Sequence, residues 1–162
     1  MATAQRPCGY LRINATDCEG ESTHVADHSD MWWYENRVEF DGVRFFAAGG
    51  QGEMKFESPR FAIPLEKNWG KINELAVNRQ PIDSFKALIY QNDPADGKAK
   101  HFATIEGTNC RIAEATSRMA EKDIDGDGTP DNILEIAFWA EEMAWTCVNG
   151  TAGTCKFSEA GE

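Results

Sequence analysis

Apolar and polar residues alternate over short runs separated by turn residues, and this two-residue rhythm predicts a mainly β chain. Arg37-Val-Glu-Phe40 and Val43-Arg-Phe-Phe46 flank Asp41-Gly42. An Asp-Gly pair supplies the positive φ angles of a type I′ turn, so a hairpin is expected over Val38–Phe46. Gly49-Gly50-Gln51-Gly52 then breaks the chain. Met54–Glu57 and Arg60–Leu65 read as strands around Ser58-Pro59. Pro59 and Pro64 mark strand ends or a sheet edge, because proline cannot donate to a ladder. Phe85–Gln91 and Lys100–Glu106 are further strands, joined through the turn-rich run Asn92-Asp-Pro-Ala-Asp-Gly97.

Three segments carry two rhythms at once. Lys71–Val77 suits a strand or a short helix. In Asn109–Lys122, Ile112, Ala115, Met119 and Ala120 fall near helical spacing. In Asn132–Val148, Ile133, Ile136, Ala137, Ala140, Met143, Ala144 and Cys147 do the same, yet Leu134, Ile136, Phe138 and Ala140 alternate as a strand would. Periodicity leaves both readings open. The expected architecture is one domain over residues 1–162, a sandwich-like antiparallel β domain with one or two short helices towards the C-terminus. Its length suits a single core, and no run approaches the ~20 apolar residues that span a bilayer.

A net charge of −11 argues against nucleic acid and anionic membranes, which need a basic face. It suits a soluble extracellular protein. Met1-Ala-Thr-Ala lacks the charged start and apolar run of a signal peptide, so a mature domain with Met1 added is expected. Asn14-Ala-Thr and Asn149-Gly-Thr match the glycosylation acceptor pattern. The five cysteines include no Cys-x-x-Cys pair. Cys8 and Cys18, and Cys147 and Cys155, each enclose a Gly-containing loop. Two local disulfides are expected, with Cys110 left over, and they point to an oxidising compartment.

The densest chemistry lies in Asp123-Ile-Asp-Gly-Asp-Gly-Thr-Pro-Asp131. Asp123, Asp125 and Asp127 alternate so that three carboxylates can converge on one calcium ion. Thr129 would add its backbone carbonyl and Asp131 a fourth carboxylate, while Gly126 and Gly128 permit the sharp turn. Position 12 of an EF-hand would need a bidentate Glu; here it is Leu134, with Glu135 one residue late. The run is more similar to the short calcium loops of thrombospondin type-3 and FG-GAP repeats, a resemblance of about a dozen residues that implies structural calcium.

His24 and His28 sit four apart, with Asp27, Asp30 and Met31 nearby. On a helix both imidazoles would share a face and suit copper or another transition metal. With His101, Trp32 and Trp33 these ingredients resemble the surface copper-binding proteins of methanotrophic bacteria. Trp32, Trp33, Tyr34, Trp69, Trp139 and Trp145 supply either core or a glycan-binding face. No nucleophile elbow, phosphate loop or His-Glu-x-x-His motif occurs, so no catalytic residues are assigned. The sequence thus suggests a non-catalytic, calcium-stabilised domain, secreted or on the cell surface, that binds a glycan or protein. Copper acquisition through His24, His28 and His101 is the alternative.

Overall fold

A computed structural model describes residues 9–31, 43–48, 51–56, 59–120, 128 and 131–156. Among them, the elements in chain order are β1 (Gly9–Asn14), β2 (Ser29–Met31), β3 (Val43–Ala48), β4 (Gln51–Phe56), β5 (Arg60–Pro64), α1 (Trp69–Val77), β6 (Ile82–Asn92), β7 (Ala99–Met119), β8 (Asn132–Cys147) and β9 (Gly153–Lys156). Seven strands form one antiparallel sheet in the order β2-β1-β6-β7-β8-β5, with β9 also paired to β8. The two ends of this path, β2 and β5, lie against each other without a ladder, so the sheet curls into a nearly closed barrel. The expectation of one mainly antiparallel β domain therefore holds.

The two long C-terminal strands resolve the double rhythm. Inward, buried positions on β7 are Ile105 and Gly107, then Cys110 and Ile112; on β8 they are Phe138 and Ala140, then Met143. Each strand skips a step at the same level, at Asn109 and Glu141. Asn109 adopts φ 53°, and its side-chain amide donates to Glu141 Oε2 at 3.0 Å. A three-residue step inside a strand imitates helical spacing, which is why Asn109–Lys122 and Asn132–Val148 read both ways. Neither is helical in its described residues; the helix expected near the C-terminus instead occupies Trp69–Val77, where Ile72 and Leu75 are buried one turn apart.

The hairpin expectation falls partly outside the described residues, which resume at Val43. From there β3 pairs forward with β4, from Val43↔Phe56 to Ala48↔Gln51, while Asp41-Gly42 lies outside the described residues. Arg60–Pro64 sits where its prolines suggested, at one end of the sheet path. The Asn92–Gly97 turn is held by Asp93, whose carbonyl accepts the Gly97 amide and whose Oδ1 accepts the Ala95 amide, both at 2.8 Å.

Phe61, Phe85 and Phe138 fill the barrel, with Phe85 and Phe138 stacked at 4.3 Å and Phe61 tilted against both. Gly107 pairs directly with Phe85 across the β6–β7 ladder. A Cβ built there would lie 2.3 Å from the Phe85 ring. Gly107→Ala must displace a ring that is itself wedged against Phe138, at a cost of about 1–3 kcal/mol for overpacking. Thermal melts should show a lowered midpoint with the strand spectrum retained; an unchanged midpoint would refute the tight fit.

Candidate functional site

The structure separates the residues that the copper reading needs together. His24 lies exposed in a bent loop, 6.4 Å between ring centroids from Tyr10. His28 is buried, with Nδ1 2.7 Å from the Ala26 carbonyl. His24 and His28 share no helix face, because the segment bends through Asp27 at φ 64°. His101 lies on β7, with Nε2 2.8 Å from the Thr104 hydroxyl, and Met31 is locked in the core. Among the described residues no three His, Cys, Asp or Glu side chains gather as metal ligands. The copper alternative is therefore corrected, and the described residues lend no support to reading the chain as a metal-binding protein. Trp32 and Trp33 lie outside the described residues, as do Asp123, Asp125, Asp127 and Thr129. Asp131 is described; its carbonyl accepts the Ala120 amide at 2.7 Å, bracketing the β7–β8 connection.

The disulfide expectation is also corrected, because Cys18, Cys110 and Cys147 are free thiols. Gly9–Asn14, expected as part of a bent loop, is an extended strand. On β8 the ladder sets Cys155 opposite Met143, not Cys147. Four residues of strand separate the two positions by about 13 Å, beyond the ~7 Å limit for bridging. Burial pushes the Cys18 thiol up to about 11 and the Cys110 thiol up to about 12, so in the folded chain both stay protonated at neutral pH.

The described tryptophans build no stacking platform. Trp139 and Trp145 are half-buried on β8, and Trp69 is partly exposed at the start of α1. What the barrel does expose is apolar residues near both ends of its longest strand. Phe102 is 48% exposed at one end of β7 beside Val148 at 57%, where the Val148 amide donates to the Phe102 carbonyl. Met119, 60% exposed, closes the other end. Phe102 and Met119 are seventeen residues apart on this strand, roughly 55 Å of contour before it twists and curls. Arg60 lies 2.8 Å from Glu114, between them along β7, and Lys100 lies 2.6 Å from Asp93 at the start of the strand, beyond Phe102. Each partnership holds the acid below its usual range. Sequence reasoning missed Phe102, although inward-facing Ile105 places Phe102 on the opposite face once the strand phase is known. The β3–β4 pair is a sheet of its own, with no ladder to the barrel among the described residues. Two isolated strands are marginally stable at best, so such a hairpin calls for a further surface to rest on.

No protein-family model matches the chain, and no curated protein sequence matches it. Solved structures do match in fold. The Hcp1 protein from E. coli EAEC 042 superposes with a TM-score of 0.71 at 10% identity, covering 93% of this chain and 98% of that one. Hcp3 from Pseudomonas aeruginosa, described as a secreted protein, gives 0.66 at 12% identity over 93% and 98%. A type VI secretion system effector from Yersinia pestis gives 0.62 at 13% identity over 92% and 99%. The chain thus has an Hcp-like fold over about nine-tenths of its length. This corrects the reading as a calcium-stabilised glycan- or partner-binding domain, because those neighbours are secretion proteins. Alkylation of the denatured, unreduced protein followed by peptide mapping should label Cys18, Cys110 and Cys147; a Cys147–Cys155 bridged peptide would contradict the β8–β9 register.

Proposed function

We propose that this chain is a secreted structural component of a type VI secretion apparatus that assembles with further copies of itself. The observation that carries the reading is the fold likeness, which runs over nearly the whole of this chain and nearly the whole of each neighbour. Two features of the surface support self-assembly. Exposed apolar residues lie near opposite ends of β7, Phe102 with Val148 at one and Met119 at the other. Dissimilar patches at two ends suit head-to-tail contact, which propagates into rings or stacks. Among the described residues the β3–β4 hairpin has no ladder to the barrel, which suits backbone pairing with a neighbour. The strong acidity keeps single copies soluble until contacts form.

Light scattering after size exclusion should find an assembly of several copies. Phe102→Asp combined with Val148→Asp should lower the assembled fraction about tenfold or more by placing charge in an apolar contact. Both side chains are exposed, so the melting midpoint of the variant should change little. In the native host, the wild-type chain should reach the medium only when the secretion apparatus is intact. A chain that stays monomeric at every concentration and reaches the medium without the apparatus would overturn the proposal.

A further inference from the structure

The barrel closes at one place without a strand ladder. Between β2 and β5 the join is made by side chains of the segment after β5 and by the loop before β2. Glu66 is its centre. Its Oε2 accepts the Glu21 amide at 3.0 Å and the Ser29 hydroxyl at 2.8 Å. Glu21 answers by accepting the Lys67 amide at 3.2 Å. Asn68, buried at the start of α1, donates to the Cys18 carbonyl and to Ser29 Oγ, both at 3.3 Å. The far side of this wall is fixed, since the Leu65 amide donates to the Asn132 carbonyl on β8. The loop folds on itself as a unit. The Ser22 amide donates to the His28 carbonyl at 3.0 Å, and Gly20 packs so closely on His28 that a Cβ would lie 2.2 Å from its carbonyl.

We propose that residues 18–28 form a strap that closes the β2–β5 seam and is released in a pH-dependent way through the Glu66 carboxyl. The strap lies on a seam with three carboxyl groups and little compensating charge. Glu66 faces Glu21 from the strap and Asp30 from β2. Asp30 Oδ1 and Asn68 Oδ1 are buried there without hydrogen-bond partners. Lys67 contributes its backbone amide, and Lys71 on α1 is engaged with Glu74 at 3.5 Å. Burial raises the Glu66 carboxyl above its ordinary 4.5, and the two acidic neighbours push the same way, while the donors from Glu21 and Ser29 oppose them in part. A carboxyl raised by folding contributes stability that is full below its unfolded pKa and lost as pH rises through its folded pKa. The strap is therefore tightest in acid and loosens towards neutrality. Ionised Glu66 keeps its two donors but stands against two like charges in a partly dry seam.

The thiols report on this directly. Cys18 is buried at the root of the strap, Cys110 is buried in the barrel wall and Cys147 is exposed. Reaction of the full chain with dithiodipyridine, which labels thiols in acid as well as at neutral pH, would be followed residue by residue by mass spectrometry. Cys147 corrects for the intrinsic pH dependence of labelling, and Cys110 reports global opening. From pH 4.5 to 7.5 the Cys18 rate relative to Cys147 should rise about threefold or more. Glu66→Gln keeps an acceptor without the charge, so its ratio should stay flat. Ser29→Ala should raise the ratio at every pH and keep the slope. A flat wild-type ratio, an equal slope in Glu66→Gln, or Cys18 reacting only in step with Cys110 would each overturn the strap.

Discussion

The β7–β8 ladder carries the barrel. It runs from Ala103↔Cys147 to Met119↔Asn132, and every other strand of the main sheet is placed by one of its two members or by a strand resting on them. β6 and through it β1 and β2 follow β7; β5 and β9 share the outer edge of β8. Both strands change phase at Asn109 and Glu141, and the register of the ladder shifts between Ile112 and Glu114. A step of this kind sharpens the local twist while keeping apolar side chains inside. Without it, Cys110, Ile112, Phe138 and Ala140 would face solvent, because one residue of slip reverses every side chain beyond it.

Inside this frame the three phenylalanines set the barrel diameter. Gly107 leaves room for Phe85 by having no side chain, so an inward position of β7 carries no atoms where the ring stands. The buried cysteines behave as small apolar residues, held protonated by desolvation.

The seam follows from the same geometry. β2 has three residues and β5 has five, and no ladder joins them across the strongly curved sheet. Side-chain carboxylates and an amide take over the role of backbone pairing there. Hydrogen bonds to a charged group are stronger than neutral ones, but the group must remain partly desolvated to make them. Closure by Glu66 is consequently responsive to protonation in a way that a backbone ladder is not.

The strands around Arg60–Pro64, Ile82–Asn92 and the start of β7 were legible because alternation, prolines and the Asn92–Gly97 turn are local signals. Residues 109–148 were not, since a strand that changes face produces three-residue steps that a helix also produces. The helix at Trp69–Val77 was ambiguous for the opposite reason: only Ile72 and Leu75 are fully buried in it, too few to fix a period. Free rather than bridged Cys18 and Cys147 depended on extended backbone and ladder register, which pair residues distant in sequence. The histidines failed as a cluster because proximity in sequence became a bent loop with one ring buried and one exposed. By itself the sequence determined a β-rich, acidic chain with local turns, because those properties reside in neighbouring residues. The tertiary structure decided the barrel, its charged seam and its apolar ends, because each joins residues that only long-range pairing brings together.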